Sequence, residues 1–304
     1  MTNLNDVLHP DAHIREELSL GVEAEGLTPE NLDKNVPARH RGTGATLLFD
    51  NLSPESMRKV RIFNYIGALL FAILTIWVLY MLGVNGQLDS EKWLSAVDIN
   101  AWTHFYLPGL LNTLVVALIS VVGATVFGML FGIFRVLPSI TSKIAGGAVV
   151  EFSRAVPVLL FMIFFWRMFA FLGLGDASAF WAVFVSLVLY NGSIVAELVR
   201  SGVGNLPKGQ REAAFMLGMT PTQALRIVEL PQALKAMLPA MATQLVVVIK
   251  DTALGYIIVF MELLHEARRL GSGNDNMLQT LTITALIYFV ICFITTKVTE
   301  KLFG

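Results

Sequence analysis

Apolar residues in this chain gather into long uncharged blocks, and those blocks set the elements it must form. A helix needs about 20 apolar residues to cross the hydrocarbon core of a bilayer. Residues 62–82 form a block of 21 without a charge, and residues 105–134 form one of 30. The stretch 148–172 is interrupted by Arg154, Pro157 and Arg167. Residues 177–196 are again uncharged, 236–260 carry Lys250 and Asp251, and 276–296 close the series. The pattern predicts an all-α membrane protein with six transmembrane helices.

Composition supports a bilayer: 55% of the 304 residues are hydrophobic and 15% charged, where soluble domains carry about 25% charged residues. The net charge of −1 hides an asymmetry. Residues 1–57 hold ten Asp/Glu and four Lys/Arg, a net of −6, which leaves the remainder at +5. This acidic, aromatic-poor stretch is punctuated by Gly and Pro and cannot bury enough apolar surface to offset its ordering entropy. It reads as a cytoplasmic, largely disordered tail with one short helix at 11–20. Residues 58–84 then add a first transmembrane helix, too late and too long for a cleaved leader, ahead of a core of five at 105–304. Lys and Arg near the span ends set orientation. Twelve fall on one side, from Arg58 to Lys301, against Lys92, Arg268 and Arg269 on the other, so both termini are expected in the cytoplasm. Trp93 and Trp102 fit an outer interfacial belt. The single cysteine, Cys292, lies in an apolar run and excludes an intrachain disulfide.

The cytoplasmic loop at 200–235 is structured. Pro207 stands where a first helical turn tolerates a missing N–H, residues 208–217 read as a short helix, and Gly218 supplies a left-handed stop. Thr220, Pro221 and Gln223 then restart a helix with a capping box, which breaks at Leu230-Pro231. Ala213, Ala214 and Leu217 share a face at three- and four-residue spacing, and small residues there let another surface approach closely. Glu212 sits where the helix dipole favours an acid. A DNA-reading helix-turn-helix has a similar outline, but a tether to two membrane spans excludes nucleic acid as a partner.

Glu212-Ala213-Ala214, Gly218 and Val228-Glu229-Leu230-Pro231, at their spacing, resemble the EAA loop of type I ABC-importer permeases, with Val228 in place of the family's Ile. Lys208-Gly209-Gln210, Leu230-Pro231-Gln232-Ala233-Leu234, Lys250-Asp251-Thr252-Ala253-Leu254, Ser153 to Pro157 and Ala196 to Gly202 are similar to motifs of the polar amino-acid branch, down to glutamate-uptake permeases of actinobacterial type. The resemblance spans about 105–265. It implies the type I permease fold, with a cytoplasmic coupling helix built from Lys208, Gly209, Gln210, Glu212, Ala213, Ala214, Leu217, Gly218, Leu230 and Pro231 seated in an ATPase subunit. It further implies a second, homologous permease making a homo- or heterodimer, an extracytoplasmic substrate-binding protein, an amino-acid substrate and a multi-pass place in the bacterial plasma (inner) membrane. ATP and magnesium belong to the partner.

An ionisable group in mid-membrane costs at least about 2.5–3.5 kcal/mol and turns to a protein interior or a watery path. Lys250 and Asp251, adjacent and therefore about 100° apart on a helix, are read as a pathway pair with Thr252 or as a buried interhelical tie. Arg154, paired by spacing with Glu151, and Pro157, which frees a backbone carbonyl, either line the pathway or serve structure and gating. Glu197 and Arg200 brace the loop. Gly123, Gly128 and Gly132 suit close helix packing. No phosphate-binding loop is present and no metal-ligand set, so the chain reads as neither enzyme nor cofactor binder. The rival is an ion-coupled secondary transporter using Asp251 or Glu197, which predicts inverted repeats and needs no loop of this kind.

Overall fold

The computed structural model describes residues 54–303, and every regular element in that range is helical. Residues 1–53 of the acidic tail, with the helix expected at 11–20, lie outside the described residues, and the tail's last four residues, 54–57, are already the start of the first helix. The chain divides into two compact units, Met1–Val78 and Leu79–Gly304. The first contains most of α1 (Pro54–Val84), 31 residues long and without a charge after Arg61.

The second unit holds α2 (Ser90–Val97), α3 (Ile99–Val136), α4 (Ile140–Ala155), α5 (Val158–Phe171), α6 (Ala177–Gly204), α7 (Lys208–Met216), α8 (Pro221–Ile258), α9 (Leu263–Gly273) and α10 (Met277–Phe303). Five helices, α1, α3, α6, α8 and α10, are each long and apolar enough to span. The expected third span, 148–172, is not one straight helix. It is the pair α4 and α5, bent by 97°. Pro157 is the cause: it has no N–H to donate and disfavours helical geometry at Val156, which is extended at ψ 125°. Among the described residues, six spans result only when that bent pair counts as one.

Three prolines inside long helices, Pro108, Pro231 and Pro239, are accommodated without a break. The expected stop at Leu230-Pro231 does not occur, and α8 runs through it. A proline removes one i→i−4 bond and presses on the carbonyl four residues back. Immediately before Pro231 the helix widens into a π turn, Ala224–Glu229, and before Pro108 into another, Trp102–Tyr106. The wider turn shifts the carbonyls that each ring would strike.

The core is centred on a seam between α3 and α6. A Cβ on Gly128 would lie 2.6 Å from the Gly192 carbonyl oxygen, and one on Gly192 would lie 3.0 Å from the Ala124 carbonyl oxygen. The helices therefore touch backbone to backbone, as small residues allow. Around this seam Val116, Met162, Leu187, Ile249 and Cys292 are buried in one cluster contributed by α3, α5, α6, α8 and α10. At one end α2, α9 and the first turns of α3 and α10 form a separate cap around Tyr106, Leu263 and Ile283. Buried Glu262 ties that cap together. Its carboxylate caps α9 by accepting from Leu264 N at 2.8 Å and His265 N at 2.7 Å, and it accepts the Tyr288 hydroxyl of α10 at 2.7 Å. At the other end Val199, Val203, Leu225, Ala233 and Met237 bind α6 to α8 beneath α7.

Candidate coupling site and membrane polar groups

The loop folds as a knob at the end of the bundle where α6 finishes and α8 begins. After Pro207, extended at ψ 130°, Lys208 starts α7. Gly218 stops it at φ +79°, a conformation that glycine adopts without the penalty a Cβ brings. Gly218 N donates to the Phe215 carbonyl at 2.9 Å and Met219 N to the Ala214 carbonyl at 3.1 Å, the paired bonds of a Schellman end. Two residues on, Thr220 N donates to Gln223 Oε1 at 2.8 Å and Gln223 N to Thr220 Oγ1 at 3.4 Å. This is the capping box, and Pro221 occupies the first turn behind it.

Arg211 and Glu229 lock the two halves. The guanidinium donates through Nε and, at 2.9 Å, through Nη2 to the two carboxylate oxygens, a bidentate fork that fixes orientation as well as charge. That bond keeps the Arg211 guanidinium above its ordinary pKa. Gln232 adds a 3.2 Å bond to Gln210. Beside the fork, a cavity of about 360 Å³ is lined by Val203, Leu206, Lys208, Phe215 and Glu229, among others.

The three-residue face expected for Ala213, Ala214 and Leu217 separates. Ala214 is buried, while Ala213 and Leu217, four apart, face outward. At about 100° per residue, the side that packs on α8 takes only one of the adjacent alanines. The outward tip is apolar: Phe215 is 44% exposed, Met216 89% and Leu217 78%. Phe215 and Met216 escaped the sequence reading, although an apolar triplet ending a helix in an otherwise charged loop is a usable signal. Lys208, Gly209, Gln210, Glu212 and Pro231 are also exposed, and Leu230 is half-buried.

The membrane polar groups do not converge. Asn191, midway along α6 and fully buried, donates to Asp251 Oδ2 at 3.4 Å. Lys250, one position earlier, turns to the open side of α8 in line with Pro239, Thr243 and Val247. The two charges thus point to different neighbours, as their angular separation requires. Thr252 is not on an open surface: it is wholly buried, with its hydroxyl donating to the Ile249 carbonyl at 2.7 Å. Arg154 does not pair with Glu151. Glu151 takes Arg135 at 3.0 Å, and Arg154 lies 3.6 Å from Glu197 on α6. Arg154 lies in the last turn of α4, three residues before the bend at Pro157.

Residues 124–302 match the family described as binding-protein-dependent transport system inner membrane component. This chain belongs to that family. The glutamate transport system permease protein GluD of Corynebacterium glutamicum is 42% identical over 224 residues, 73% of this chain and 82% of that protein. A crystal structure of an amino acid ABC transporter with histidines superposes with a TM-score of 0.62 and 28% identity, covering 68% of this chain and 97% of that one. The inward-facing MetNI methionine ABC transporter, at a TM-score of 0.54 and 20% identity over 67% of this chain and 99% of that one, shares the fold. The chain is accordingly a multi-pass inner-membrane component of the ABC-permease type, a family whose members are not themselves enzymes.

Proposed function

We propose that this chain is the permease subunit of an ATP-driven importer for a polar amino acid, glutamate or a close relative, and that the 208–231 knob couples it to a separate ATPase. The observation that carries the coupling role is the knob: a rigid, doubly capped projection whose tip exposes Phe215, Met216 and Leu217. Apolar side chains held out of a charged loop belong against a partner's cleft, because each fully buried one contributes about 1.5–3 kcal/mol. Glu212 stands exposed beside them for a charged partner group. ATP and magnesium are handled by that partner. The excess of Lys and Arg at this end supports a cytoplasmic knob and cytoplasmic termini.

Lys250 supports a second permease. Placed against lipid it would incur the insertion cost of a mid-membrane ion, so its open face belongs against a homologous subunit or a watery path between the two. There its ammonium suits a substrate carboxylate. Half-buried Asp251 holds α8 to α6 through Asn191, and Pro157 sets the bend beside the pathway. A binding protein delivers the amino acid from the opposite face, consistent with the family description. The glutamate assignment rests on the name of the 42% identical relative.

Reconstitution tests the reading. Liposomes holding this chain with its permease and ATPase partners should take up glutamate only with ATP and binding protein, and Glu212→Lys should abolish uptake. Uptake by this chain alone, driven by an ion gradient, would establish the secondary-transporter alternative instead.

A further inference from the structure

A second charged assembly lies between the knob and the bend, and the coupling role leaves it unexplained. Glu197, on α6 seven residues before that helix ends at Gly204, is shared by three guanidiniums. Arg135, in the last turn of α3, donates to its Oε2 at 2.7 Å. Arg200, one turn further along α6, donates to its Oε1 through Nε at 3.0 Å and through Nη2. Arg154, in the last turn of α4, approaches Oε2 at 3.6 Å. Glu151 of α4 is the second carboxylate, 3.0 Å from Arg135.

We infer that Glu197 is a positioning residue for transport, passing displacement of the knob through α6 to the α4–α5 bend. The inference rests on the coupling role proposed above. Its mechanical path is continuous. Below Glu197, Val199 and Val203 pack against Leu225 and Ala233 at the base of the knob, and Asn205 N bonds back to the Ser201 carbonyl at 2.9 Å, so the knob does not hang on a slack linker. On the far side, Arg154 stands three residues before Pro157, where the chain turns by 97°.

The individual contacts suit a moving part. Arg135, with 12% of its side chain exposed, is held tightly, whereas Arg154 is 43% exposed and beyond hydrogen-bond distance. A charge contact of that length in a partly wet site stretches without a directional bond to break. The set contains three guanidiniums against two carboxylates. Without Glu197 it would hold three against Glu151 alone, and Arg154 would lose its carboxylate on α6, the charge contact through which that helix reaches the last turn of α4.

The test uses the whole transporter in proteoliposomes with its binding protein and reads amino acid imported per ATP hydrolysed. Glu197→Gln is expected to retain the ATPase subunit and to hydrolyse ATP within about twofold of wild type, while import per ATP falls about tenfold or more. Glu197→Asp should restore at least about half of the ratio, and Arg154→Gln should lower it as Glu197→Gln does. An unchanged ratio in Glu197→Gln overturns the inference, and so does a loss of import matched by an equal loss of hydrolysis, which is the signature of a simple brace. Should Glu197→Gln not fold, Arg154→Gln decides alone: a lowered ratio supports the inference and an unchanged one overturns it. Failure of the wild-type complex to import with ATP would instead sink the coupling role itself.

Discussion

The α3–α6 seam and the 208–231 knob are opposite solutions built from the same kinds of small and apolar residue. In the seam, Gly128 and Gly192 remove side chains so that two backbones meet and leave no space for anything else. In the knob, Ala214 and the Arg211–Glu229 fork close the inner side, while Phe215, Met216 and Leu217 are left without cover. A glycine whose Cβ, if it had one, would lie 2.6 Å from a carbonyl oxygen marks a joint with no room for a side chain. A leucine 78% exposed on a capped projection marks one that is finished by another molecule. Substitutions in the seam should therefore damage the fold, and those at the tip should damage the assembly and leave the fold intact.

The largest effect is expected in the seam. Gly128→Leu must place its Cβ against the Gly192 carbonyl and Val195, and overpacking of this kind costs about 1–3 kcal/mol or more. Thermal aggregation in detergent should show the variant melting far below wild type or yielding no folded protein; a wild-type midpoint would mean the helices are not in backbone contact. Next comes the tip. Met216→Ser with Leu217→Ser should leave that midpoint within experimental scatter, yet weaken binding of the ATPase subunit by about 10–100-fold, the equivalent of roughly 1.4–3 kcal/mol of lost burial. A titration showing unchanged affinity would separate the exposed residues from the interface.

Lys250→Met is expected to be smaller and confined to transport. The protein should assemble normally and lose about tenfold in uptake at low substrate concentration, whereas normal kinetics would return Lys250 to a structural role. The smallest effect belongs to the cap. Thr220→Ala should cost about 1 kcal/mol locally, read as faster amide exchange at 222–224 with the seam amides unchanged. Slower exchange, or an equal change in the seam, would deny that the knob is a separately stabilised piece.

Much of this was legible in the order of residues. The long apolar blocks, one of them carrying Lys250 and Asp251, place the five continuous spans, because a bilayer demands length and low polarity in every such segment. Gly218, Thr220 and Gln223 announce the knob's ends, since their roles depend on neighbours within a few positions. What depends on distant partners was not legible. Pro157 breaks its span by 97°, whereas Pro231 passes inside a helix behind a π turn, and the local sequence distinguishes the two poorly. Spacing alone suggests that Arg154 pairs with Glu151, but Glu197, 43 positions further on, is the group that packing brings nearer. The fork between Arg211 and Glu229, 18 residues apart, and the burial of Thr252 likewise follow from how the helices pack.

The most direct test of the central claim is a proximity measurement at the tip. With Cys292 replaced by Ser and Leu217 by Cys, treatment of membranes containing the assembled transporter with a short bifunctional thiol reagent should join this chain to the ATP-hydrolysing subunit, and a cysteine at Ser95 should not. Joining at position 95 but not at 217 would contradict the account, because the knob would then lie on the wrong side of the membrane from the motor it is held to engage.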